Sequence, residues 1–156
     1  LGYLSEAATW RNAYLYGAHE LRHGPPNQMP RAPVPPEALR AISLDAYFDF
    51  WGVRLNGPRA EGLHIVLNWS FIDTGQVYVL NLENAALTHR SGTPAEGAHA
   101  TVTLTRKTLD SITLFESTFE KEIAAGTIRI EGDHTKVDTL LGLLDTFDSK
   151  FAIVEP

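Results

Sequence analysis

Residues 62–73 read GLHIVLNWSFID. Leu63, Ile65, Leu67, Trp69 and Phe71 alternate with His64, Asn68 and Ser70. A period of two places one apolar row on one face of an extended chain, so this is a strand with a buried side. Asp73-Thr74-Gly75 supplies the turn that follows it. Two more strand-like runs succeed it, QVYVLNLENAALTHR (76–90) and, after a Gly/Pro loop at 92–97, HATVTLTR (99–106). In the last of these, Ala100, Val102 and Leu104 face one way and three threonines the other. The threonine face is expected to be solvated, as in an antiparallel sheet.

Helical patterns flank the strands. In SLDAYFDFWGVRL (43–55), Ser43 is a suitable N-cap, and Leu44, Phe48, Trp51 and Leu55 form a stripe at helical spacing. RKTLDSITLFESTFEKEIAAG (106–126) reads as helix, broken near Glu116, with Gly126 as its C′ residue. TIRIEG (127–132) is a short strand. Asp133 then caps a last helix striped by Val137, Leu140, Leu141, Leu144 and Phe147, and FAIVEP is expected to be extended. Strands followed by mixed helices and strands define an α+β body over residues 43–156.

Two segments precede the body. Residues 1–23 carry Tyr3, Ala7, Trp10, Tyr14, Ala18 and Leu21 at steps of three and four, one apolar face of a helix. Gly24-Pro25-Pro26 ends it, because proline cannot continue the hydrogen-bond ladder. Residues 24–42 hold prolines at 25, 26, 30, 33, 35 and 36, a stiff extended connector in which PPEALRAI adds a helical turn.

Composition narrows the function classes. Charged residues are 21% and net charge is −6, with no basic patch, so a nucleic-acid partner is not expected. Cysteine is absent, which excludes disulfides and thiolate metal sites. No apolar run approaches the roughly 20 residues of a membrane span. The chain begins with Leu1 inside a helical pattern and is expected to be a piece of a longer protein.

The sharpest local motif is HELRH at 19–23, which matches H-E-x-x-H. Such a zinc site needs both imidazoles on one helix face, a third protein ligand and a carboxylate near the metal-bound water. Against it, Arg22 sets a fixed positive charge beside the metal position, the helix ends one residue after His23, and no downstream motif places a third ligand. The plainer reading is a solvated helix end, where histidine also suits the helix dipole. His64, His89 and His99 are expected on the surface or a sheet face. The sequence has no G-x-S-x-G and no P-loop. Asp133 is better explained as a cap, and Asp45 as a first-turn acid, than as members of acid–base pairs with Glu131 and Asp49.

What stands out instead is the weight of large apolar side chains: Phe48, Trp51, Trp69, Phe71, Phe115, Phe119 and Phe147 among many leucines. They fill a core, or they line a cavity for an apolar ligand. Periodicity does not separate the two.

AATWRNAYLYGAHELRHG, DFWGVRLNGPRAEGLHIVLNWSFIDTGQVYVLNLENAALTHRSG, ATVTLTRKTL and IEGD…LLGLLDTF, in this order and spacing, resemble the C-terminal part of bacterial alkyl sulfatases of the metallo-β-lactamase superfamily. The resemblance implies a sterol carrier protein type-two-like domain with a five-stranded mixed or antiparallel sheet covered by helices at 43–156. It also implies that 1–23 is the last helix of a dimerisation region and 24–42 a linker. The family's zinc signature, H-x-H-x-D-H, is absent here. The zinc is therefore implied for the parent's catalytic domain, with no cofactor in these residues. The function expected for the body is non-catalytic: it binds the alkyl chain of a substrate for the parent catalytic domain. Trp51, Trp69, Phe71, Phe115, Phe119 and Leu144 are the expected lining. The alternatives are a structural domain with a filled core, and a zinc hydrolase built on His19, Glu20 and His23.

Overall fold

The computed structural model describes residues 2–24 and 35–147. Two compact units emerge: Leu1–Pro33 with Phe147–Pro156, and Val34–Thr146. Most of the Pro-rich connector and the FAIVEP tail lie outside the described residues.

In the first unit a 3₁₀ turn at Gly2–Leu4 leads into α1, Ala8–His23. Gly24 follows with φ +75° and ends the helix. The expected stripe is shortened: Tyr3 lies in the 3₁₀ turn and Ala7 is the N-cap, and within α1 Trp10, Tyr14 and Leu21 are exposed, while Gly17 and Glu20 are the buried positions.

The second unit is built on one five-stranded sheet in the order β3-β2-β1-β4-β5. The strands are β1 Ile65–Phe71, β2 Gln76–Glu83, β3 Ala86–Ser91, β4 Ala100–Leu104 and β5 Arg129–Gly132. β1 is central and pairs antiparallel with β2 and parallel with β4, so the sheet is mixed. The run 76–90 is itself a hairpin. Asn84 and Ala85 both have positive φ, 52° and 57°, as a two-residue turn of matching twist requires.

Six helices accompany the sheet: α2 Pro36–Ala41, α3 Leu44–Arg54, α4 Gly57–Ala60, α5 Arg106–Thr113, α6 Phe119–Ala124 and α7 His134–Gly142. Their starts follow from side-chain caps. Ser43 accepts from the Ala46 amide and Asp133 from the Thr135 amide, as expected, and Thr105 and Thr118 cap α5 and α6. The break expected near Glu116 is the interval between α5 and α6.

The buried rows of β1, β2 and β4 pack against Leu44, Phe48 and Trp51 of α3, Leu109 of α5, and Val137 and Leu140 of α7. The opposite face departs from expectation. Asn68 is buried, because the 92–99 loop lies over it. The Asn68 amide donates to the Ala95 carbonyl (3.1 Å) and accepts from the Ala95 amide (2.8 Å). His99 Nδ1 accepts from the Val66 amide at 2.9 Å. A loop pinned this way satisfies the polar groups it covers, and the threonine face is therefore only partly solvated.

Candidate apolar-ligand site

The aromatic residues of the body converge on one face of the sheet. α3 presents Tyr47, Phe48 and Trp51 to it because positions i, i+1 and i+4 share a helix flank. β1 presents Trp69 and Phe71 because alternate residues share a face. The Trp51 and Trp69 rings meet edge to face with centroids 5.2 Å apart. Phe119, at the start of α6, lies 6.4 Å from Trp51 and 6.1 Å from Trp69. Phe48 joins Trp69 at 5.9 Å, Phe71 at 6.3 Å and Tyr78 at 5.2 Å.

Of the six residues expected to line a cleft, Trp51, Trp69 and Phe71 are fully buried and Phe119 is half-buried over the two indoles. Leu144 is half-buried against the same core and bridges Leu55 through the backbone. Phe115 is apart from them. The chain turns through the left-handed region there (φ +60°), and the ring is 90% exposed. Tyr47, Phe48 and Tyr78 belong to the cluster and were not among the six. The i, i+4 spacing of Tyr47 to Trp51 is the signal that points to the first.

Polar groups frame this cluster. The Tyr78 hydroxyl donates to Asp45 at 2.8 Å. Burial first, then that carboxylate, push the Tyr78 phenol up to about 12. Burial also raises Tyr47, opposed by hydrogen bonds from Thr113 and Trp51. His89, expected on a sheet face, is held between Asp45 (3.6 Å) and Asp49 (3.8 Å) on α3. A cleft of about 470 Å³ opens among Arg40, Asp73, Arg106, Lys107, Asp110 and Glu116. None of the six expected residues lines it.

The H-E-x-x-H segment forms no metal-binding constellation. The His19 and His23 rings are exposed and 4.6 Å apart, as i, i+4 dictates, while Glu20 is buried. Among the described residues no group of three or more His, Asp or Glu side chains is placed to hold a metal ion. The donors present therefore do not fit a zinc centre. Among the described residues no helix is long and apolar enough to cross a membrane.

Residues 32–156 match the alkyl sulfatase C-terminal family, and the chain belongs to it. It is 43% identical to a linear primary-alkylsulfatase of Pseudomonas sp. over 160 residues, 100% of this chain and 23% of the relative. It superposes on a stereoselective inverting sec-alkylsulfatase, Pisa1, from Pseudomonas sp. with TM-score 0.84 and 40% identity, over 99% of this chain and 24% of that one. The chain thus spans about a quarter of the length of these relatives. The fold alone is shared with a UbiJ-SCP2 ubiquinone synthesis protein, at TM-score 0.50 and 18% identity over 64% of this chain and 88% of that one. The body is therefore a sterol carrier protein-like α+β domain.

Proposed function

We propose that the second unit is an accessory, non-catalytic domain that receives the alkyl chain of a substrate for a zinc-dependent alkyl sulfatase of which this chain is a part. The observation that supports it most is the position of Phe119. This half-buried ring, on the six-residue helix that follows the interval after α5, closes over Trp51 and Trp69. Phe119 packs against both indoles, so an alkyl chain has to displace that cover. Re-exposing one phenylalanine costs at most about 3 kcal/mol, and burying eight methylenes at about 0.8 kcal/mol each returns about 6 kcal/mol before the entropy of association is subtracted. Binding of this kind lowers KM more than it accelerates a sulfate ester cleaved elsewhere. α1, with Trp10, Tyr14 and Leu21 exposed on one stripe, is read as a helix that pairs within the parent homodimer.

The complete burial of Trp51, Trp69 and Phe71 supports a second reading, in which the unit is purely structural and serves assembly of the parent. Titration with long-chain amphiphiles separates the two: the first requires saturable binding below the micelle concentration, the second forbids it.

A further inference from the structure

Two indoles share this core. Trp69 Nε1 is buried and has no hydrogen-bond partner among the described residues. Its ring is 0% exposed and is met by Trp51, Phe48 and Phe119. Aromatic faces are weak acceptors and do not replace a hydrogen bond. A buried N–H left unpaired is costly, and native structures keep few of them without a reason. The sequence could have avoided the cost with phenylalanine at this position, which fills a similar site without a donor.

We infer that the Trp69 indole N–H is a ligand-recognition group: it donates to an uncharged oxygen of a bound amphiphile, an alcohol or a carbonyl, that enters beneath Phe119. The inference rests on the apolar-ligand reading above and adds the head-group chemistry to it. One neutral donor in an aromatic surround suits a hydroxyl or carbonyl oxygen. It does not suit a sulfate, whose charge a single neutral donor does not offset. The class of ligand selected is therefore the alcohol left after a sulfate ester is hydrolysed. An intact alkyl sulfate can insert only its tail and must leave its head at the rim.

The chain has three tryptophans, so its ¹⁵N-labelled form gives a countable set of indole N–H resonances, with Trp69 assigned by Trp69→Phe. The probes are octan-1-ol, octane and octyl sulfate. Octan-1-ol is expected to move the Trp69 indole proton downfield, while octane and octyl sulfate bind without doing so. Trp69→Phe is expected to weaken octan-1-ol by about tenfold relative to octane. If all three bind and move the resonance alike, the recognition role is overturned and the apolar-ligand reading stands. A water cross-peak to this proton that persists in the octan-1-ol complex also overturns the recognition role. If none of the three binds, the apolar-ligand reading fails and the inference falls with it.

Discussion

Trp51 of α3 and Trp69 of β1 meet with ring planes at 88° and centroids 5.2 Å apart. This edge-to-face contact joins the first body helix to the central strand, and it is fully buried on both sides. Edge-to-face pairs add stability beyond the area they bury. Trp51→Ala is therefore expected to cost about 3–5 kcal/mol in denaturant unfolding. Phe119→Ala, at the half-buried edge of the same cluster, is expected to cost nearer 1 kcal/mol. Equal losses for the two would show that Phe119 is part of the core and not its cover.

Tyr78 is an alkaline sensor of the fold. Its phenol has an ordinary value of 10.0 and is pushed up to about 12 in the folded chain by burial and by Asp45. A raised folded value means that the neutral form is favoured by folding. The stabilisation is present below pH ~10 and is lost as pH rises toward ~12. Burial raises Tyr47 in the same direction. Ultraviolet titration of the five tyrosines should show a late-ionising fraction coincident with unfolding, and Tyr78→Phe should shrink it.

Gly132 ends β5 with φ +103°, and a Cβ there would meet the His99 carbonyl oxygen at 2.5 Å. The obstacle is backbone, anchored by the Asp133 amide donating to the same oxygen at 2.8 Å. Gly132→Ala combines strain with overpacking and is expected to lower stability by about 2 kcal/mol or more. Thermal unfolding measures it. Gly62→Ala, which has positive φ but meets nothing, separates the strain from the clash.

His19 and His23 are expected to bind no structural zinc. Purified chain dialysed against micromolar zinc should retain a substoichiometric amount by elemental analysis, and His19→Ala should not change it. One equivalent of zinc lost on that substitution would restore the hydrolase reading.

Much of this fold was legible because its signals are local. The alternation at Leu63–Phe71 gave β1, Ser43 and Asp133 gave two helix starts, and Glu116 marked the break between α5 and α6. The hairpin at Asn84-Ala85 was not separated from its flanking strands, because neither residue is a glycine and positive φ leaves no trace in apolar periodicity. The burial of Asn68 is not legible in the alternation, because the partner that covers it, Ala95, lies on a loop without a pattern. Spacing brings Trp51, Trp69 and Phe119 toward one aromatic cluster. Phe115 falls outside it, because the helical period does not continue past the end of α5, where the backbone turns left-handed.

If Phe119 covers Trp51 and Trp69 as proposed, that cover opens to an alkyl chain. The most direct measurement is tryptophan fluorescence of the chain titrated with decan-1-ol below its solubility limit, with Phe119→Ala alongside. The account predicts a saturable change in the wild type, tighter binding in the variant whose cover is reduced, and no change on adding a short alcohol such as ethanol at the same concentration. A flat or unsaturable response in both proteins would contradict it and leave a domain whose core serves only to hold its fold.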